Sequence, residues 1–585
     1  MKNNLLLTVF IVSVLSSCNN EKSVLTEKNE NPNIIVIMVD DMGFSDISSY
    51  GGEINTPNID NLASNGLKFT QFYNAGRCCP SRASLLTGMY AHKTGLGYMT
   101  AQDYGKPGYR ADMNNECITI AEALKQNGYG TYMAGKWHVN LNFKENESKH
   151  NWPLQRGFDK FYGTLIAAGS YWDPMTLVEG NSYVEPTEDF YYTEAITDKS
   201  IEYITAHDDS KPFFMYMAYT APHWPLHARE SAIAKHKGKF SEGWDELRKK
   251  RYQRLKDADI IDPSWELPER DEKNIAWNDV PHKEWEQTRM EAFAGALDHV
   301  DQGIGKLVAF LKEQGKLDNT IIFFLSDNGG DKTEHIDGKI GSSGKPWSVM
   351  TYVPLYTKNG EVIISGDFPG IELGPENTYG GYGLKWANLS NTPFKKFKAY
   401  MHEGGISTPL IVHWPKGIKD KNQLRKQPAH IMDIMATCID LTDSEYPKFY
   451  RKNKIKPLDG KSLMPILLKD EKIRDSLFWE HQGNKAVRIG KWKLVSILEK
   501  KSWELYDMEK DRTETNDLSI QYPEKVEALE NAYNEWAEKS DVIPWEEMEI
   551  NIIATGKSPL ARPRVEADRA YEKVKNKVDS LIKNK

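Results

Sequence analysis

The stretch with the most reactive potential is Cys78-Cys79-Pro80-Ser81-Arg82, continued by Ala83-Ser84-Leu85-Leu86-Thr87-Gly88. Proline suits the first helical position, where its missing N–H would be unpaired anyway, so Pro80 is expected there with Cys78 at a helix N-terminus. The free N–H groups and the dipole at that end favour an anion. A vicinal cysteine pair also fits a redox couple or zinc ligands, but neither a second pair nor a histidine at zinc-ligand spacing accompanies it. Asp40-Asp41 and Asp327-Asn328 add four side-chain oxygen donors, a hard set that suits calcium or magnesium and not zinc. Either pair alone also reads as a helix cap or a turn. Basic candidates are Lys136 and His138 in Gly135-Lys136-Trp137-His138, His223 in Ala221-Pro222-His223, and Lys398 after Asn391-Thr392-Pro393-Phe394. A lone lysine or histidine is ordinarily surface or structural, so these gain meaning only together.

The elements around them bring such groups together. Residues 33–39, Asn-Ile-Ile-Val-Ile-Met-Val, form a short continuous apolar run, as expected of a strand buried on both faces of a parallel sheet, and the run stops at Asp40-Asp41. Similar runs at 131–134, 213–219 and 321–325 stop at Gly135–His138, Pro222-His223 and Asp327-Asn328. Ligands in open α/β sheets gather at the carboxyl ends of strands, so the four clusters are expected to converge. Helical patterns lie between them, at 119–127 before Gly128 and at 289–314 before Gly315. In the second, Phe293, Ala296, Val300, Ile304, Leu307 and Leu311 fall on one face. The alternation predicts an α/β domain.

Taken together, these motifs resemble the type I, formylglycine-dependent sulfatase family, in the arylsulfatase-like branch of the alkaline-phosphatase-like superfamily. Its signature is Cys-x-Pro-x-Arg followed by Leu-Thr-Gly, here Cys78 to Gly88, joined by the Gly-Lys-Trp-His motif, the strand-end histidine of Ala221-Pro222-His223, and Asn391 to Lys398 followed by Glu403-Gly404-Gly405. The motifs stand in family order and the likeness continues through Trp503-Glu504-Leu505-Tyr506-Asp507. One departure concerns the substrate pocket: other branches carry a further histidine after the Lys-x-His motif, where this chain has Gly169-Ser170-Tyr171-Trp172-Asp173-Pro174.

The resemblance implies an α/β fold with a large, mostly parallel central sheet flanked by helices, and a smaller C-terminal α+β domain. It implies hydrolysis of sulfate esters, of sulfated poly- or oligosaccharides or of aryl sulfates, with Cys78 and not Cys79 oxidised to formylglycine by a maturation enzyme. Hydrated to a gem-diol, residue 78 would attack sulfur. Asp40, Asp41, Asp327, Asn328 and residue 78 would hold one divalent metal, calcium with magnesium as the alternative. Lys136, Lys398 and the metal would stabilise the sulfuryl oxygens, and Arg82 would anchor the modified residue. His138 is the expected base and His223 the expected acid, a role Lys398 can share. Two other readings are phosphomonoester or phosphonate hydrolysis on the same scaffold, and a non-catalytic, lipid-anchored glycan-binding protein.

Composition bounds the rest. A chain of 585 residues, 39% hydrophobic and 27% charged with no long single-sign block, is that of a globular enzyme. Its net charge of -8 argues against a nucleic-acid partner. Lys2 precedes an apolar run over 5–15, too short for a membrane-spanning helix, which reads as a signal peptide. The run ends in Leu15-Ser16-Ser17-Cys18, which resembles a bacterial lipobox with Cys18 as the lipidated residue. The expected organisation is a signal peptide at 1–17, a tether at 18–32 and a catalytic domain at 33–465, with insertions near 227–289 and 331–383. A C-terminal domain and charged tail follow at 466–585, with strands at 476–481, 486–497 and 503–507 and a helix at 524–539. The product is expected at the bacterial membrane, facing the periplasm or exterior. Cys78, Cys79, Cys117 and Cys438 are too few for a disulfide framework. Trp244, Trp265, Trp277 and Trp285 in the first insertion either pin it to the body, the favoured reading, or stack on sugar rings.

Overall fold

A computed structural model of the chain describes residues 31–100, 102–334, 353–354, 356–442 and 444–548. The expected signal peptide, Cys18, residues 335–352 and 355 of the expected 331–383 insertion, and the charged tail lie outside these residues. No helix among the described residues is long and apolar enough to cross a membrane.

The apolar runs form the centre of a ten-stranded mixed sheet. Asn33–Val39 lies between Thr320–Ser326 and Phe213–Ala218, and the latter pairs with Gly130–Gly135, all four strands parallel. Lys160–Thr164 extends one side in parallel, before Leu177–Glu179 and Ser182–Tyr183 return antiparallel. On the other side Leu410–His413 runs antiparallel to both Thr320–Ser326 and Leu67–Phe69. The sheet is thus parallel where the motifs lie and mixed at its margins.

Side chains along Asn33–Val39 alternate between two cores. Ile35, Ile37 and Val39 join Phe293, Ala296, Val300 and Ile304 of the long helix, while Ile34, Val36 and Met38 join Leu85, Leu86, Ile120 and Leu124. Burying each such side chain stabilises the fold by about 1.5–3 kcal/mol, so this strand and its two helix layers fix the sheet. The helix spans Lys283–Glu313 and starts six residues before the apolar periodicity does, because its first turns are charged and lie beyond the core stripe.

The 227–289 insertion contains two helices, Glu230–Ala234 and Gly243–Asp257. Its tryptophans are structural: Trp244 packs edge-on against Trp277 and Trp386 at 4.8 and 5.2 Å between ring centroids. Trp265 and Trp285 donate their indole N–H groups to the carbonyls of Glu509 and Ile371.

Toward the C-terminus, a four-stranded antiparallel sheet carries Ser476–His481, Asn484–Ile489, Trp492–Ser496 and Trp503–Asp507 in that order, with the Pro523–Lys539 helix packed on it. The single strand expected over 486–497 is in fact a hairpin. Gly490, at φ 57°, makes a left-handed turn that glycine adopts without cost, while apolar residues on both sides hide the break from a periodicity reading.

Candidate active site

The strand register assembles the site. Val39 pairs with Ser326, so the chain leaves both strands at the same level and sets Asp40-Asp41 beside Asp327-Asn328. The two neighbouring strands end next to them and deliver His223 from one and Lys136 and His138 from the other. All seven of these residues are buried. Asp41 and His138 adopt left-handed backbone at φ 65° and 52°, an uncommon conformation for non-glycine residues that concentrates at functional sites.

Cys78 enters from the other direction, as the first residue of the Cys78–Thr87 helix capped by Arg77. Pro80 is therefore the third helical residue and not the first. No residue of the first turn donates an intrahelical N–H bond, so proline fits its third position as well as its first, and the first such bond comes from Ser81 to the Arg77 carbonyl at 2.9 Å. The Cys78 thiol is held well below the ordinary thiol range, chiefly by a hydrogen bond from Cys79, which outweighs burial together with nearby His138 and Lys136. Burial pushes the Cys79 thiol the opposite way. The two adjacent cysteines thus sit in chemically different places, and both are free thiols, as are Cys117 and Cys438.

Arg82, one helical turn on, fastens the helix to the strand ends. Its Nη2 donates to Asp40 Oδ2 at 3.0 Å and to Asp327 Oδ2 at 2.9 Å, and its Nη1 donates to the Lys136 carbonyl at 3.1 Å. Lys136 Nζ also donates to Asp40 Oδ2. Lys398 donates to Asp41 Oδ1 at 2.5 Å and lies 3.6 Å from Asp331. The segment carrying Lys398 is tied to the metal-type loop at two points, Lys398 N–H to the Gly330 carbonyl and Gly329 N–H to the Gly405 carbonyl, each at 3.1 Å. A side chain at Gly329 would collide with the Gly404 carbonyl, so only glycine permits this approach.

The oxygen donors fit a hard cation. Asp40 Oδ1, Asp41 Oδ2 and Asn328 Oδ1 are buried and accept no hydrogen bond, whereas buried polar atoms are normally satisfied. Asp40, Asp41 and His223 each offer a ligand atom within 4.8 Å of the others. Burial and then Lys398 act in opposite senses on Asp41, whose carboxyl is pushed up to about 7. Burial followed by repulsion from Asp40 also raises Asp327 well above the usual range. Asp40 moves the other way: burial opposes its ionisation, but Lys136 and Arg82 hold it below the usual carboxylate range. Two of three close carboxylates resisting ionisation mark an excess of negative charge that a divalent cation would neutralise.

His223 approaches Asp41 Oδ2 with Nε2 at 3.4 Å while its Nδ1 lies 2.5 Å from the Trp224 carbonyl. Burial and then Lys398 push it down to about 3. A carbonyl can only accept, so Nδ1 carries the proton and Nε2 is the bare nitrogen of the neutral ring. The strands, the helix and the segment carrying Lys398 therefore bring together Asp40, Asp41, Cys78, Arg82, Lys136, His138, His223, Asp327, Asn328 and Lys398. Two members were missed by sequence reasoning. Asp331 pairs with Lys398 from a loop with no periodic signal, and Arg77, one residue before the signature, lies near enough to Cys78, Asp331 and Asp41 to interact with their charge.

Comparison with known proteins agrees with this geometry. Residues 32–444 match the family model described as Sulfatase, and residues 394–539 match that described as N-sulphoglucosamine sulphohydrolase, C-terminal. An uncharacterised sulfatase of Schizosaccharomyces pombe is 31% identical over 86% of this chain and 92% of its own length. An arylsulfatase of Klebsiella aerogenes is 31% identical over 75% of this chain and 92% of its own. The crystal structure of Ps i-CgsB in complex with k-i-k-neocarrahexaose superposes with a TM-score of 0.62 at 24% identity, over 90% of this chain and 97% of that one, and shares the fold. Phosphoester hydrolysis and a purely glycan-binding role are both disfavoured by these matches, and the chain belongs to the sulfatase family, as a sulfuric ester hydrolase of the alkaline-phosphatase-like fold.

Proposed function

We propose that this sulfatase removes sulfate from sulfated poly- or oligosaccharides at residue 78, with aryl sulfates as assay substrates. The observation that carries the reading is the meeting of Cys78, at a helix N-terminus, with three unpartnered buried oxygens and two buried lysines. The Ps i-CgsB complex with k-i-k-neocarrahexaose supports a carbohydrate substrate.

Formylglycine at residue 78, formed by a maturation enzyme, would supply a hydrated-aldehyde nucleophile, and a divalent cation, calcium or alternatively magnesium, would supply charge neutralisation. Asp40, Asp41, Asp327 and Asn328 would hold the cation together with residue 78. Arg82 fixes Asp40 and Asp327 to the nucleophile's own helix, so nucleophile and cation site keep one geometry. Lys136 and Lys398 would turn to the sulfuryl oxygens and lower the energy of charge developing there. His138, near enough to help hold the Cys78 thiol low, would take the proton of the second hydroxyl of residue 78 once the alcohol has left, so that sulfate departs and the aldehyde is restored. His223 would protonate the departing alkoxide from Nε2, which it does only as the imidazolium. Lys398 already carries a proton and is the alternative donor.

Placement at the bacterial membrane, through lipid on Cys18, rests on the residue pattern from Lys2 to Cys18. Cys18→Ser should release soluble, active enzyme; wild-type protein already soluble with its N-terminus beyond residue 18 would contradict the anchor. For the activity itself, the matured enzyme should release sulfate from at least one defined sulfated sugar and turn over nitrophenyl sulfate faster than nitrophenyl phosphate. Faster phosphate turnover would reverse the assignment.

A further inference from the structure

Arg77 is the N-cap of the Cys78 helix and lies outside the signature motif. Three pieces of chain meet around it. The neighbouring Gly76 carbonyl accepts from Ala399 N–H at 2.8 Å, so the approach to Cys78 runs beside the exit from Lys398. The Asn484 side-chain amide donates to the Ala399 carbonyl at 3.0 Å, which brings in the turn between Ser476–His481 and Asn484–Ile489. In that turn Gln482 donates to the Tyr98 hydroxyl at 3.2 Å.

The cations of the site are not equivalent. Arg82 pairs with Asp40 and Asp327, Lys136 with Asp40, and Lys398 with Asp41 and Asp331. Arg77 forms no ion pair among the described residues, and its Nε is buried without an acceptor. It is also placed differently: Cys78, Lys136 and Lys398 are 2%, 0% and 3% exposed, while Arg77 is only half-buried. A guanidinium presents a planar fork that matches sulfate or carboxylate oxygens in pairs. An arginine beside the nucleophile, more exposed than Lys136 and Lys398, with Asp331 and Asp41 near enough to feel its charge but neither in ion-pair contact with it, is positioned for an anion that arrives with the substrate.

We propose that Arg77 binds a second anionic group of the substrate, a sulfate or carboxylate carried close to the sulfate that is cleaved. The proposal rests on the sulfatase reading and makes the preferred substrate a polyanionic saccharide. The test compares wild-type enzyme with Arg77→Ala and Arg77→Lys on four substrates: a disulfated disaccharide, its monosulfated counterpart, the counterpart with a carboxylate in place of the second sulfate, and nitrophenyl sulfate. Because Arg77 borders the residue that is modified, rates are divided by the aldehyde fraction at residue 78, measured by peptide mass. Arg77→Ala should raise KM for the disulfated or the carboxylated sugar at least about tenfold more than for the monosulfated sugar or nitrophenyl sulfate, with kcat falling less than KM rises. Arg77→Lys should fall between wild type and alanine, and the substrate with the larger loss identifies the anion. Equal losses on all four substrates, or none on any, would overturn the proposal. Wild-type enzyme that cleaves no sulfate ester would instead overturn the activity beneath it.

Discussion

Two regions of this molecule bury clusters of charge, and they are built to opposite ends. Behind the Lys398 segment, Glu403 accepts from Lys493 at 2.8 Å on one oxygen and from Arg512 and Tyr73 at 2.7 and 2.9 Å on the other. Lys493 also pairs with Glu514 at 2.8 Å, and Glu514 accepts the Glu403 backbone N–H at 3.0 Å. Two carboxylates there meet two cations, Lys493 and Arg512, with Glu514 Oε1 held by its ion pair to Lys493 alone, and the cluster joins the 403–407 segment to the four-stranded sheet. At the strand ends, Asp40, Asp41 and Asn328 are as deeply buried but keep oxygens without donors. A buried charge costs free energy unless it is matched, so the first cluster is complete as protein and the second is completed by something from outside. The difference separates a structural ion network from a site.

That contrast can be broken by substitution. The largest effect expected is on activity: Asp327→Asn keeps shape but removes charge from the open cluster, and should lower kcat about 100- to 1,000-fold together with the metal content of the purified enzyme. Added calcium should raise the Tm of wild type and no longer raise that of the variant. Full activity after exhaustive metal removal would show that the oxygens serve another purpose.

Next comes the closed cluster. Lys493→Met leaves Glu403 and Glu514 buried without their shared cation and should cost about 3–5 kcal/mol of stability by denaturant titration. The fraction that still folds should bind metal in wild-type ratio. Loss of metal at unchanged stability would mean that the two clusters are not distinct in kind.

A subtler effect sharpens the open cluster from within. A sugar alkoxide needs a proton as it leaves and a nitrophenolate almost none, so loss of the true general acid should penalise a sugar sulfate far more, by up to about 100- to 10,000-fold. His223→Ala and Lys398→Ala, assayed on both substrates, assign the role to whichever shows that selectivity. Equal losses on both substrates for both variants would leave each as a binder of sulfate and neither as the acid.

Much of this site is legible in the chain because its members follow apolar strands: Asp40, Lys136, His223 and Asp327 all stand within a few residues of a buried run, and a parallel sheet must bring such ends together. Pattern fails where contacts are long-range or the signal is aperiodic. Tyr73, Glu403, Lys493, Arg512 and Glu514 form one cluster across 442 positions of sequence, from Tyr73 to Glu514 counted inclusively, and none carries a local mark of it. Asp331 stands in a loop, and the hairpin at Gly490 is masked by apolar residues on either side. The start of the long helix at Lys283 was hidden because its first turns are charged and do not share the apolar face that identifies the rest.

The proposed chemistry needs residue 78 to be an aldehyde, and its most direct test is the mass of the peptide that contains it, set against activity across preparations with different extents of maturation. Conversion should appear as a loss of about 18 Da at Cys78 with Cys79 unchanged, and specific activity should rise in proportion to the converted fraction. Fully active protein with an intact thiol at residue 78 would contradict it.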